Sequence, residues 1–346
     1  MGKVALITGI AGFIMSHVGN HLREKYPDWS IVGIDAETPS SDLTRIKYPL
    51  YNPFIYSPSD FPHLRSGIIY YKGDLSDPNL YTSLNRIFVA NLKSKPDIII
   101  HGSAESNVDF SLKDPTIFWK SNVLGTQMLM EQLRNWELRG SRLINISTDE
   151  ILAGGGTLDQ QIPFDEDSPI NASSPYSNSK AAQELVVDSY AKSFGFSNTV
   201  SVRCVNNYGP GQKEKLVPTA IAAALSGKAI QVYGTGQEHK RDWLYVQDFV
   251  EALELLMFND ITGHINVSAG DEHTNIDVVR KIISMVGNPA ASIAHIEDPR
   301  GGCHDKRYWI NSSRFRNLTG WYPKVSFTEG INKTIGWTMS NYENNS

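Results

Sequence analysis

Cysteine is scarce: Cys204 and Cys303 are the only two. No CxxC pair occurs, and two thiolates cannot complete a tetrahedral metal site, so reduced structural thiols and no metal are expected. Long apolar runs are also missing; none approaches the roughly 18–20 residues of a membrane-spanning helix. A basic excess is absent, since 32 Lys+Arg stand against 37 Asp+Glu and the pI is near 6.0. That balance argues against a non-specific nucleic-acid binder. Glycine and proline, 27 and 17 of 346 residues, are too few for a collagen-like chain, and 40% hydrophobic residues are too many for a largely disordered one. No charged leader precedes the first apolar run, and Leu6 stands where a myristoylation motif wants Ser or Thr. Several Asn-x-Ser/Thr sequons are read as chance, because Asn145 falls inside an apparently buried strand. The expectation is a cytoplasmic globular protein with one large or two unequal domains.

What is present is a regular alternation. Short apolar runs at 4–8, 31–34, 68–71, 97–101, 142–146 and 198–203 read as strands buried on both faces. Helical patterns separate most of them, at 13–25, 80–92, 116–136 and 175–194. This is the signature of βαβ units, and right-handed crossovers make it a doubly wound α/β fold with a parallel, Rossmann-like sheet. A polar, Pro-rich stretch at 36–61 reads as an irregular loop. Beyond about residue 205 the rhythm changes, with a helix at 218–226 and a strand at 230–233. Residues 1–205 with 241–265 are therefore expected to form a dinucleotide-binding domain, and 206–240 with 266–346 a smaller mixed α/β substrate domain.

The segment TGIAGFIMSH places Gly9 and Gly12 between the first strand and a helix opening with Phe13 and Ile14. Missing side chains let backbone approach a pyrophosphate, and the helix start offers free N–H groups. Asp35 ends the second strand 23 residues after Gly12, where an acid accepts from an adenosine ribose. Its charge repels a 2′-phosphate, so NAD is expected rather than NADP. Met15 breaks the pattern, for a third glycine usually permits close helix–strand packing there. A side chain of that size is expected to crowd the groove and weaken NAD binding, unless it turns into the helix–sheet interface.

The run SSPYSNSK puts Tyr176 and Lys180 on one helical face, with Ser174 as cap and Pro175 at the first position. A neighbouring ammonium favours phenolate, as a tyrosine base requires. The fifth strand runs into Ser147, Thr148, Asp149 and Glu150. Adjacent carboxyls at the C-terminal edge of such a sheet tend to split their pKa values, giving one acid and one base.

By these motifs together, the chain resembles the extended short-chain dehydrogenase/reductases, and within them the nucleotide-sugar 4,6-dehydratases. The strings carrying the resemblance span nearly the whole chain: TGIAGFI, HGSAESNVDFS, NVLGTQML, STDE, SPYSNSK, NNYGPGQKEKLVP, VYGTGQEHKRDWLYVQDF and CHDKRY. STDE is the most discriminating, because related 4-epimerases and decarboxylases lack the consecutive Asp-Glu. The resemblance implies a lyase with an internal redox cycle. Tyr176, sharing a hydrogen bond with Thr148, takes the proton of the sugar 4-hydroxyl as hydride leaves carbon 4. Glu150 then removes the carbon-5 proton, Asp149 protonates the departing 6-hydroxyl, and hydride returns to carbon 6. It further implies cofactor contacts at Gly9, Gly12, Phe13, Ile14, Asp35, Asp74, Leu75, Ser103, Tyr176 and Lys180. Substrate contacts are implied at Glu105, Ser106, Asn207, Lys215, Leu216, Arg241, Arg307 and Tyr308. The helices near 117–136 and 176–194 match those that pair two family subunits in a four-helix homodimer interface.

Ser103 and Asn107 depart from the family pattern, as do Ile151, Leu152 and Ala153 leading into the glycines at 154–156. These changes leave the acid and base in place but bear on sugar preference. The CHDKRY string is closer to bacterial enzymes acting on dTDP-sugars than to plant ones acting on UDP-sugars. A UDP-sugar 4-epimerase or decarboxylase is the alternative within the fold. A non-catalytic NAD- or nucleotide-sugar-binding regulator is the alternative of another class.

Overall fold

Uninterrupted apolar runs become strands buried on both faces, as sequences of this kind do when helices cover both sides of a parallel sheet. The computed structural model describes residues 2–56, 60, 63–154 and 156–343. In the first half the order is β1 (Val4–Thr8), α1 (Phe13–Lys25), β2 (Ser30–Asp35), β3 (Leu50–Tyr51), β4 (Ile68–Lys72), α2 (Pro78–Asn85), β5 (Ile98–His101), α3 (Val108–Lys113), α4 (Pro115–Phe118), α5 (Gly125–Asn135) and β6 (Arg142–Thr148). Then come α6 (Pro175–Phe194), β7 (Thr199–Cys204), β8 (Asn206–Tyr208), α7 (Leu216–Leu225), β9 (Ala229–Tyr233), β10 (Lys240–Tyr245) and α8 (Val246–Phe258). Last are β11 (Gly263–Val267), β12 (Glu272–Thr274), α9 (Asn275–Val286), β13 (Ser292–Ile296), α10 (Ser313–Thr319) and α11 (Phe327–Glu343).

Eight strands form one sheet in the order β11-β7-β6-β5-β1-β2-β4-β3. β1 runs parallel to β2 on one side and to β5 on the other. The strand order reverses between them, and in open α/β sheets ligands bind at the carboxyl ends beside such a reversal. The doubly wound fold is present as expected. Two helices depart from regular form: α2 continues into a π-type turn at Arg86–Asn91, and α4 reaches α5 through another at Trp119–Leu124. β3 lies within the stretch read as irregular, and α3 was not anticipated.

The chain divides into two units: Met1–Ser147 with Pro175–Val202 and Leu253–Ile265, and Thr148–Ser174 with Arg203–Ala252 and Asn266–Ser346. Residues 148–174, 203–205 and 241–252 thus belong to the second unit, whereas the sequence assigned them to the first. The reason for 241–252 is pairing: β10 hydrogen-bonds to β8 and β12 in a three-stranded sheet, not to the large sheet. The chain rejoins the first unit only from Leu253, and β11 becomes the edge strand of the large sheet. The second unit has its own core, where Tyr208, Val217, Ile221, Trp243, Val279 and Ile331 pack together. Both cysteines are thiols, with Cys204 buried. Among the described residues no helix is long and apolar enough to cross a membrane.

Candidate active site

The β1–α1 turn is shaped by two glycines. Gly9 has φ +73°, and a Cβ there would lie 2.9 Å from Ser103 N and 3.0 Å from the Gly102 carbonyl. The turn closes by Gly12 N–H donating to the Gly9 carbonyl at 2.9 Å. Gly12 then caps α1 without a side chain, and the first turn, opening with Phe13 and Ile14, carries no acid. That is an anion-accepting helix start. Asp35, buried at the end of β2, is tied to the same turn: Oδ2 accepts from Ala11 N–H at 2.9 Å. Its Oδ1 accepts from Glu37 N–H (2.8 Å) and the Ser41 hydroxyl (2.6 Å). Three bonds leave room for one more on a carboxylate with about four lone-pair sites. Asp74 and Leu75 follow β4; Asp74 accepts from Ser76 and pairs with Lys120 at 3.3 Å, and Leu75 is buried.

Met15 takes the second of its two open arrangements. It is only 3% exposed, and its side chain lies over Gly102 at the end of β5. The expected crowding of the groove is therefore corrected: the methionine is turned into the helix–sheet interface, where a glycine makes room for it.

Behind this turn runs a buried chain of hydrogen bonds. Ser103 N–H donates to Thr8 Oγ1 (3.2 Å), which is 2.8 Å from His101 Nδ1. His101 Nε2 meets Thr126 Oγ1 at 2.8 Å, and Thr126 donates to the Asn122 carbonyl at 2.6 Å. Burial, with Lys180 adding, pushes His101 down to about 3, so the imidazole is neutral. The Asn122 side chain then ties Glu105 to α6, bonding both backbone groups of Glu105 and the Ser179 hydroxyl. Asn122 sits in the π-type turn before α5; such wide turns are frequent at functional sites. Neither His101 nor Asn122 was singled out from sequence. The available signal was an Asn inside a helical stretch it disfavours.

α6 begins at Pro175 as expected. Tyr176 is buried with its ring edge toward Phe118. Lys180, also buried, donates to the Ile146 carbonyl at 2.7 Å and to Gln183 Oε1. Gln183 in turn bonds Asn145 at 2.7 Å. Of the expected substrate contacts in this unit, Glu105 is half-buried and Ser106 exposed.

In the second unit, Thr148 Oγ1 accepts from Glu150 N–H and donates to Asp149 Oδ1, both at 3.3 Å, holding a tight turn over Asp149–Ile151. Asp149 is fully buried and its Oδ2 has no hydrogen-bond partner. Burial and the adjacent Glu150 raise its pKa well above the carboxylate range, against a weaker pull from Arg241. Glu150 is raised too, by burial, but Lys215, Arg300 and Arg241 oppose that rise. The pair is thus split, with Asp149 the more firmly protonated and Glu150 the easier carboxylate to ionise. Tyr308 donates to Glu150 Oε2 at 3.3 Å, and the Arg241 guanidinium lies 3.7 Å over the Tyr308 ring.

Arg241 is anchored by three carbonyls, those of Lys240, Lys306 and Asp305. Arg307, expected at the nucleotide end, already has partners within its own unit. It makes a bidentate pair with Glu272 (2.8 and 2.5 Å), donates to the Gln160 carbonyl and stacks on Trp309. Lys215 precedes α7 and Leu216 opens it. Asn207 is buried with its Oδ1 unpartnered. Arg300 was missed in the sequence, and it acts on both Glu150 and His304.

Residues 6–334 match the profile of the GDP-mannose 4,6 dehydratase family. A dTDP-glucose 4,6-dehydratase of Xanthomonas campestris pv. campestris is 34% identical, over 97% of this chain and 93% of the relative. The chain belongs to the GDP-mannose 4,6 dehydratase family. A trifunctional UDP-glucose 4,6-dehydratase/3,5-epimerase/reductase of Arabidopsis thaliana is also 34% identical, over 99% of this chain but 48% of that longer protein. Among solved structures, dTDP-glucose 4,6-dehydratase of Bacillus anthracis in complex with NAD has a TM-score of 0.81 at 30% identity, covering 99% of this chain and 98% of that one.

One cluster in this family member invites a metal reading. The donor atoms of His239, Asp298 and His304 lie within 4.8 Å of one another. The carboxylate, however, already bonds His304 Nδ1 at 2.6 Å, and the two rings stack at 3.5 Å. Burial together with Arg241 and Arg300 pushes His304 down to about 3. A surround of two guanidiniums suits an anion better than a cation.

Proposed function

We infer that this family member is an NAD-containing hydro-lyase that converts dTDP-glucose to its 4-keto-6-deoxy product. The observation carrying the reading is the split pair: Asp149, buried and short of hydrogen bonds, beside Glu150, which three cations favour as carboxylate. An epimerase needs no such pair. A non-catalytic binder would not need Tyr176 and Lys180.

The residues of the first unit fit the cofactor. Gly9, where a Cβ would strike Ser103, leaves backbone bare beside an uncapped helix start, and Asp35 keeps an acceptor for a ribose hydroxyl. Gly9, Gly12, Phe13, Ile14, Asp35, Asp74, Leu75 and Ser103 would hold it. Bound there, NAD supplies the acceptor of a hydride from carbon 4 and the donor of one to carbon 6. Tyr176, with Thr148 and under the field of Lys180, takes the 4-hydroxyl proton. The ketone at carbon 4 acidifies carbon 5; Glu150 removes that proton, and Asp149 delivers its own to the 6-hydroxyl, which leaves as water. Lys215, Leu216, Asn207 and Arg241 would bind the nucleoside diphosphate, with Arg300 and Tyr308 beside them.

With dTDP- and UDP-glucose deuterated at carbon 4, the label should appear on carbon 6 of the same product molecule. A higher kcat/KM is expected for dTDP-glucose, by a modest factor, since one methyl distinguishes substrates by about 1–3 kcal/mol. The two relatives above are equally similar, so only this comparison decides the base. Label lost to solvent would overturn internal return, and a 4-epimer product would favour the second reading.

A homodimer is supported by Ile117, Trp119, Leu124 and Leu185, apolar side chains exposed on α4, α5's approach and α6, with Leu185 58% exposed. A second copy of the chain would cover such exposed apolar side chains. Light scattering should find a dimer, and Leu185→Glu should shift it toward monomer; a monomeric native chain would exclude the interface. Two thiols fit a reducing cytoplasm, which cell fractionation would test.

A further inference from the structure

The phosphate-binding turn lacks a glycine at 15, and the neighbouring strand end has one at 102. These are one feature. A Cβ built on Gly102 would fall 2.5 Å from Met15 Sδ and closer still to its Cγ, so the methionine occupies the space a side chain at 102 would need. On its other side the Gly102–Ser103 backbone faces Gly9: a Cβ on Gly9 would meet Ser103 N at 2.9 Å and the Gly102 carbonyl at 3.0 Å. Gly102 N–H is also held by the Thr8 carbonyl at 3.2 Å. The backbone at 102–103 is therefore gripped between the Met15 side chain and the Gly9 turn.

We propose that Met15 and Gly102 act together as a positioning pair for the dinucleotide, Met15 bracing the 102–103 backbone that sets the Gly9 turn. The room that a glycine at 15 would supply is supplied at 102 instead. Interiors are close-packed, so filling or emptying one member moves its neighbours. A larger residue at 102 must displace either Met15, at the first turn of α1, or the backbone against Gly9; both would disturb the groups aimed at a pyrophosphate. Emptying position 15 removes the brace and leaves a void beside the same turn. Neither substitution touches the nucleoside-diphosphate end in the second unit.

The proposal rests on NAD being the cofactor, and a double-mutant cycle tests it. Cofactor-free native protein, Met15→Gly, Gly102→Leu and the double variant are titrated with NAD by calorimetry, with dTDP as the control ligand. Gly102→Leu should weaken NAD at least tenfold and Met15→Gly at least threefold. The double variant, which exchanges the two volumes, should return to within threefold of native. Affinity for dTDP should stay constant throughout. Losses that multiply in the double variant, tighter NAD binding in Met15→Gly, or a parallel fall in dTDP affinity would overturn the pairing. Should Gly102→Leu fail to fold, Gly102→Ala takes its place, and recovery of folding on adding Met15→Gly supports the pair. If the native chain binds no NAD, the cofactor reading fails by itself. The cycle is then read from thermal melts, where additivity would still sink the pairing.

Discussion

Replacing Glu150 by Gln is expected to slow product formation by about 10²–10⁴, while a 4-keto sugar still carrying its 6-hydroxyl accumulates. Oxidation at carbon 4 does not need the Glu150 carboxylate, but proton removal from carbon 5 does. Quenched single turnovers analysed by mass spectrometry separate the two species; an undiminished rate would remove Glu150 from the mechanism. Asp149→Asn should be equally slow, and it carries a signature in stability as well. Burial raises the Asp149 pKa in the folded state. Its contribution to stability is therefore complete below the unfolded pKa and is lost as pH rises through the folded one. The asparagine variant, having no charge to form, should melt at a higher temperature than native protein at pH above that folded value. Native turnover should be bell-shaped in pH, limited on the acid side by protonation of Glu150 and on the alkaline side by ionisation of Asp149. Tyr308→Phe should move the acid limb upward, because the lost hydroxyl donates to the Glu150 carboxylate.

Tyr176→Phe should lower kcat by about 10²–10⁴ and leave NAD affinity within a few-fold, since only the phenolic oxygen is lost and the ring still packs against Phe118. Lys180→Met should cost activity and stability together. The Ile146 carbonyl and Gln183 amide oxygen lose their buried donor, a loss of about 1–3 kcal/mol for each acceptor left unsatisfied. Thermal melting beside single-turnover rates distinguishes them. Equal melting temperatures for native and Lys180→Met would mean that the lysine does not anchor α6 to β6.

Much of the architecture was legible because it depends on local pattern. The apolar runs behind β1, β2 and β5 can be buried only between two helical layers, and Gly9, Gly12 and Pro175 declare a turn and a helix start wherever they occur. Tyr176 and Lys180 share a face by helical period alone, and Asp149 and Glu150 are neighbours by peptide bond. Other elements were not legible. The π-type turns at 86–91 and 119–124 leave no periodic trace, since one wider turn shifts the apolar stripe by a single residue. The assignment of β10 depended on which partner it found, and β8 lies far from it in sequence.

The sequence by itself therefore determined the doubly wound sheet, the glycine turn, the tyrosine–lysine helix face and the acid pair, because each follows from spacing along one element. Tertiary structure decided what those groups experience. It placed Gly102 under Met15, so that a side chain expected to obstruct the groove is packed away from it. It closed Arg307 onto Glu272 and seated Arg241 over Tyr308. It also separated Asp149 from Glu150 in proton affinity, through burial and through cations that approach from distant parts of the chain. Packing volume and electrostatic field belong to residues brought together in space, and a linear pattern does not record which ones will meet.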